Sequence, residues 1–222
     1  MSAKKIANSR LLNSDLLFFK ILARIIMFVS GSRLGKTKTI IHGLFWHTTI
    51  RSCSKTNIVR IGNGSIIKKT KFYIRGSNCQ IIIGENVVLD RVSITLLDNN
   101  SFIIIGKNTE IGHGTSLCSG EGKTIEIGDE CLFSYNNELR NTDSHSIYDG
   151  EKTRVNPGRN IKIGNNVWVG QNCLFLKGAE IPDGCVVGAR ALVNKSFSEK
   201  NSLLVGMPAK MVKKNIFWDK NR

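Results

Sequence analysis

A period of six residues governs the stretch from Ile163 to Leu192. It reads Ile163-Gly164-Asn165-Asn166-Val167-Trp168, Val169-Gly170-Gln171-Asn172-Cys173-Leu174, Phe175-Leu176-Lys177-Gly178-Ala179-Glu180, Ile181-Pro182-Asp183-Gly184-Cys185-Val186 and Val187-Gly188-Ala189-Arg190-Ala191-Leu192. Each block opens on a large apolar residue and places a small one fifth: Val167, Cys173, Ala179, Cys185, Ala191. Helices repeat near 3.6 residues and strands near two, so neither needs a period of six. A chain that turns a corner every six residues does need it. Such a chain winds into a solenoid with one apolar anchor per edge, and repeats of this kind decide the fold before any local propensity does.

The period continues upstream with interruptions. Ile61-Gly62, Ile83-Gly84, Ile105-Gly106 and Ile127-Gly128 stand 22 residues apart, three hexapeptides with four residues to spare. Ile163-Gly164 follows after 36 residues, which on the period alone is two turns of 18. The small fifth position recurs as Ser65, Val87, Thr109 and Cys131. Three edges make a triangular coil. No coil buries its anchors alone, so the core forms by stacking.

These blocks, with Asn165-Asn166-Val167-Trp168-Val169-Gly170, Val187-Gly188-Ala189 and the late run Val205-Gly206-Met207-Pro208-Ala209-Lys210, resemble the hexapeptide-repeat acetyltransferases, in type the capsule and O-antigen polysaccharide O-acetyltransferases. The likeness runs from about Ile58 to Lys214. It implies a mainly β protein, a left-handed parallel β-helix assembled as a homotrimer, with acetyl-CoA as co-substrate and no metal. Left-handed crossovers depart from the usual rule for parallel strands, so the handedness rests on the resemblance. Expected boundaries are a basic extension over 1–57, the β-helix over 58–198 with an active-site loop at 139–159, and a tail over 199–222 carrying the Gly206–Lys210 motif.

Charge is distributed unevenly. Of 32 Lys and Arg and 17 Asp and Glu, residues 1–75 hold fifteen bases and a single acid, Asp15. Nearly all of the net +15 therefore lies in the first third. Such a face attracts polyanions: an anionic membrane, an acidic polysaccharide or nucleic acid. No nucleic-acid-binding motif accompanies it, which disfavours the last. Asn13-Ser14-Asp15 opens an apolar run, Leu16 to Val29, with Lys20 and Arg24 four apart. This predicts an amphipathic basic helix too interrupted to span a bilayer. The helix either lies on an anionic membrane, with residues 1–38 as the contact, or packs on the β-helix. Residues 33–57 show no clear period. No secretory leader is evident, so the expected compartment is the cytoplasm, with peripheral contact at the inner membrane face. The six cysteines form no CxxC pair; Cys131, Cys173 and Cys185 take the small buried position.

The repeat breaks between Leu139 and Arg159 with a polar insert, Arg140-Asn141-Thr142-Asp143-Ser144-His145-Ser146-Ile147-Tyr148-Asp149-Gly150. Acetyl transfer to a hydroxyl needs a base that titrates near neutrality, and histidine does. The resemblance gives His145 that role. Asp143 then either orients the imidazole or holds the acceptor. Trp168, at the sixth position of its block, lines the active site by the same resemblance, against the alternative of core packing. Gly170, Gly178, Gly188 and Ala189 would let the pantetheine arm approach the backbone. Arg190, Lys195 and Lys210 would meet its phosphates, and Pro208-Ala209 would pack near the adenine. His113, between Gly112 and Gly114, and His42 and His47 are ranked as packing or surface residues.

The expected function is acetyl-CoA-dependent O-acetylation of a bacterial surface polysaccharide or its lipid-linked precursor. The competing enzyme reading changes the acceptor to a small one: an amino sugar, serine, a galactoside or a xenobiotic. A zinc hydratase on the same solenoid needs three converging histidines, and only His113 and His145 lie within it. A non-enzymatic scaffold is the remaining class.

Overall fold

A computed structural model describes residues 33–34 and 37–220. Every regular element among them is a strand, and the strands stack into three sheets. Sheet 1 runs from Arg33–Leu34 through Thr49–Ser52, Lys71–Ile74, Ser93–Leu96, Ser116–Ser119, Glu138–Arg140 and Leu174–Leu176 to Leu192–Val193. Sheet 2 holds seven strands, from Lys38–Ile41 to Glu180–Ile181. Sheet 3 begins at Leu44–Trp46 and ends at Leu203–Gly206, beyond which Ala209–Lys213 turns back as an antiparallel edge. All other pairings between these strands are parallel, and each coil visits sheets 1, 2 and 3 in turn. This is the parallel β-helix that the period requires.

The apolar anchors form three internal columns. Ile61, Ile83, Ile105, Ile127, Ile163 and Ile181 stack in sheet 2. Phe45, Ile67, Leu89, Ile111, Phe133, Val169 and Val187 stack in sheet 3. Ile50, Phe72, Ile94, Leu117, Leu139, Phe175 and Val193 stack in sheet 1. All are at most 2 % exposed. The small fifth residues fill the corners, where a larger side chain would collide with the coil above. Where they are polar they bond to backbone: Ser65 donates to Gly84 O at 2.8 Å and Thr109 to Gly128 O at 2.9 Å. The Ile-Gly pairs have a steric cause. A Cβ on Gly106 would stand 2.5 Å from the carbonyl carbon of Gly128 in the next coil. Burial pushes the Cys131 thiol up to about 11, as suits a packing residue.

Three expectations change. Ile127 pairs directly with Ile163, so the 36-residue step is one coil and not two. The surplus leaves the stack as a loop. Residues 38–52, which showed no clear period, already form strands in all three sheets, so the solenoid begins ahead of residue 58. The late motif does not lie in a detached tail either: Leu203–Gly206 continues sheet 3, and Pro208 caps its hairpin with Ala209–Lys213. The predicted basic helix over residues 16–29 lies outside the described residues.

Candidate active site

The loop leaves sheet 1 after Arg140 and rejoins sheet 2 at Ile161, so it projects from the corner between those sheets. Its neck is closed by Asn141. The side chain accepts from Gly120 N at 2.9 Å and donates to Ser119 Oγ at 2.8 Å, and its carbonyl accepts from Arg159 N at 3.1 Å. The tip is a small hairpin with a bridge between Tyr148 and Arg154. Asp149 Oδ1 accepts from Glu151 N and Thr153 N and fixes its turn.

Two polar hubs hold this loop against the solenoid. Asn156, 7 % exposed, is the first. Its Nδ2 donates to Asp143 Oδ2 and to the His145 carbonyl, both at 2.8 Å, and its Oδ1 accepts from Ile147 N at 2.6 Å. One amide therefore fixes the backbone from the His145 carbonyl to Ile147 and the Asp143 side chain ahead of it. Lys177, reaching up from the coil that follows the loop, donates to Asp143 and, at 3.1 Å, to the Asn156 carbonyl. Lys177 and Asn156 together hold the Asp143 carboxyl below its ordinary value. Among the described residues the Asp143 carboxylate is engaged by these two groups and not by the His145 ring. Asp143 thus braces the loop. His145 itself is exposed.

Glu121, on the preceding coil, is the second hub. Its carboxylate takes both terminal nitrogens of Arg154, at 2.8 and 2.9 Å, together with Thr142 Oγ1 and Gly158 N. The Arg154 guanidinium is the main reason that its carboxyl falls to about 2 from 4.5. A depressed carboxyl stabilises above its unfolded value and loses that contribution as pH falls through its folded one. The Glu121 anchor is therefore complete above about pH 4.5 and gone near pH 2, a difference on the order of 3 kcal/mol. Protection factors of the amides across 142–158, corrected for the intrinsic pH dependence of exchange, are expected to stay flat from neutrality to that upper limit and to fall below it. A loss of protection beginning near pH 7 would assign the anchoring to other groups.

The remaining site residues divide between two edges. Gly178 and Lys195 share the loop's corner: Gly178, at φ +80°, lies 3.2 Å by its would-be Cβ from the Arg159 guanidinium, and Lys195 caps the Phe197 ring at 5.3 Å. Gly170, Gly188, Ala189 and Arg190 lie at the corner between sheets 3 and 1. A Cβ on Gly170 would meet Ala189 N at 2.6 Å, so this glycine is also needed for stacking. Pro208, Ala209 and Lys210 form the hairpin next to that same edge. Trp168 is on the outer face of sheet 3, 40 % exposed, which removes core packing as its role. Its ring lies 6.1 Å from that of Trp218, whose Nε1 donates to Asn166 O at 2.8 Å. His113 stacks on Tyr135 at 4.1 Å, again at the sheet 3–sheet 1 corner. One chain thus separates His145 from Trp168 and from most of the residues expected at the coenzyme.

Asn156, Glu121, Arg154 and Lys177 escaped the sequence reading. A weak signal was available: Asn156 and Arg154 stand near the end of an insert whose polarity had already marked it. Glu121 and Lys177 come from neighbouring coils, and only the stacking brings them to the loop. Among the described residues no group of three or more potential metal ligands occurs.

Residues 160–195 match the family model described as bacterial transferase hexapeptide (six repeats). The chain is 37% identical over 172 residues to a polysialic acid O-acetyltransferase of Neisseria meningitidis, covering 77% of this chain and 79% of that one. It is 32% identical over 111 residues to a polysialic acid O-acetyltransferase of Escherichia coli O1:K1, over 50% of this chain and 36% of that one. The crystal structure of the polysialic acid O-acetyltransferase OatWY superposes with a TM-score of 0.82 at 33% identity, covering 86% of this chain and 92% of that one. With the coil geometry, the loop and these matches in agreement, the chain belongs to the hexapeptide-repeat acetyltransferase family.

Proposed function

We propose that this protein transfers the acetyl group of acetyl-CoA to a hydroxyl of an acidic, sialic-acid-bearing polysaccharide. The 37% identity to a polysialic acid O-acetyltransferase across most of both chains carries this reading. The excess of cations in the first third suits an anionic acceptor.

In this mechanism His145 accepts the proton of the acceptor hydroxyl as its oxygen attacks the thioester carbonyl carbon. The C–O bond forms and the carbonyl becomes a tetrahedral oxyanion. Collapse breaks the C–S bond, and the proton held on His145 passes to the departing thiolate. Asn156 and Asp143 set the position of the histidine. Gly170, Gly188, Ala189 and Arg190, with Pro208, Ala209 and Lys210, are the groups for the coenzyme, and Trp168 screens the thioester from water. Because these groups lie on another edge from His145, the reading requires a second subunit. A homotrimer would set the loop corner of one chain beside the sheet 3–sheet 1 corner of its neighbour, with Gly178 and Lys195 on the loop side.

Thiol release from acetyl-CoA by the purified protein tests the reading. Release should depend on added polysialic acid, and light scattering should give three chains per particle. Turnover only with small alcohols or amino sugars would refute the polysaccharide acceptor, and an active monomer would refute the shared site.

The basic residues 1–38 are proposed to hold the enzyme at the cytoplasmic face of an anionic membrane. Deleting residues 1–32 is then expected to weaken binding to phosphatidylserine-containing vesicles, most strongly at low salt. Equal binding by the truncated and full-length proteins would remove this proposal.

A further inference from the structure

Between Asp15 and Glu85 the chain carries twelve Lys and Arg and no carboxylate. Two coils built from this stretch, with Thr95 and Leu97 of the next, hold a cleft of about 480 Å³ on the outer face of sheet 1. Its polar wall is Arg51, Tyr73, Arg75 and Thr95, and its floor ends at Leu97. The Arg51 guanidinium lies 5.7 Å from the centre of the Tyr73 ring, which holds it over the cleft. Arg51 and Arg75 are exposed. Neither has a carboxylate partner within ion-pair distance among the described residues, although eight other cations there do. Two uncompensated guanidiniums beside an aromatic face and a hydroxyl are a fitting set for a sugar that bears a carboxylate. The planar fork takes the carboxylate in a bidentate manner, the ring takes the apolar face of the pyranose, and the threonine takes a hydroxyl.

The cleft is also in line with the catalytic loop. Arg75 N donates to Leu96 O and Leu97 N to Ser119 O, so Arg75, Leu97 and Gly120 are successive rungs of one corner. A Cβ on Gly120 would lie 3.0 Å from Thr142 Cγ2 and 3.5 Å from Leu97 Cβ, which continues the same line to Thr142. Asp143 follows, then His145. Adjacent rungs of a sheet are about 4.8 Å apart, so Arg75 is roughly 14 Å along the edge from Thr142. A polymer of acidic sugars lying along this edge would reach from the cleft to the histidine.

We infer that the Arg51–Tyr73–Arg75 cleft is a distal acceptor subsite, binding one carboxylate-bearing sugar of a polymer while another unit of the same polymer meets His145. This rests on the acidic-polysaccharide reading above. Its function is to hold the chain between transfers, so it matters for long acceptors and little for short ones.

The test compares the full-length protein with an R51Q/R75Q variant, using polysialic acid and disialic acid as acceptors. A charge-assisted contact is worth about tenfold in affinity. The variant is therefore expected to raise KM for the polymer at least about tenfold more than for the dimer. Calorimetric titration of polysialic acid without acetyl-CoA should show the same loss, and a shallower dependence on salt. Equal KM changes for polymer and dimer, or undiminished polymer binding, would overturn the subsite while leaving the transferase reading intact. Polymer binding lost in the variant, from a wild type that transfers to no acidic glycan, would leave the cleft a glycan-binding site but overturn its role as an acceptor subsite, together with the transferase reading. A change in particle mass would overturn it too, because the cleft would then be a contact between copies of the chain.

Discussion

His145→Ala is expected to lower kcat for acetyl transfer to polysialic acid by roughly 10²–10⁴-fold, the usual contribution of a general base. The fold should not notice. His145 is exposed, and what ties its segment down is its backbone carbonyl, bonded by Asn156, which alanine keeps. The loop stands outside the three stacked columns, so the melting temperature and the particle mass should match the wild type. KM for acetyl-CoA should change little, since most of the groups proposed for the coenzyme lie on another edge. A variant that keeps more than about a hundredth of the rate would remove His145 as the base. One that loses both rate and melting temperature would show that the side chain supports the loop instead.

The stack was legible because its physics is local and repeated. Each anchor pairs with its counterpart in the neighbouring coil, so one apolar residue per edge is enough to betray the register: Val59, Ile81, Ile103, Ile125 and Ile161 are all the same position. The first coil was hidden by its own spacing. Lys38 pairs with Ile58 across 20 residues where later coils use 22, and no Ile-Gly pair marks its corner, which reads Ile41-His42-Gly43. The 36-residue step reads as two coils because 36 is a multiple of 18. Arithmetic cannot distinguish two coils from one coil with a loop, whereas the absence of apolar anchors between Leu139 and Ile161 can. Within the site, His145 stood out as a rare residue in a break. Its supports did not, because hydrogen bonds between an insert and the coils on either side leave no periodic trace. Glu121 and Asn156 are 35 positions apart and belong to two parts of one anchor.

That anchoring gives the second large effect, in Asn156→Asp. The change keeps the shape and one useful acceptor, since an oxygen can still take the Ile147 amide. It replaces the donor that bonds Asp143 and the His145 carbonyl with an oxygen. At neutral pH two carboxylates and a carbonyl would then converge at a nearly buried point, with Lys177 held by Asp143 and Arg154 held by the Glu121 carboxylate, its Nε reaching Asn156 Oδ1 only at 3.4 Å. Like charges so close cannot both ionise without cost, and the loop can escape by lifting away. A displacement of about 1 Å at a base costs on the order of 10²-fold, so kcat should fall by about that much, while the melting temperature falls little. The decisive readout is the loop's response to acid. Repulsion raises the new carboxyl's pKa, and protonating it restores a donor. Protease resistance of the loop should therefore recover as pH falls towards 5, still above the range in which the Glu121 anchor fails. Asn156→Leu, which removes all four side-chain bonds and adds no charge, should lose the same resistance and show no recovery. If both variants behave alike across pH, the amide merely fills space; if only the aspartate variant recovers, the hydrogen bonds from Asn156 are what hold His145 where it can act.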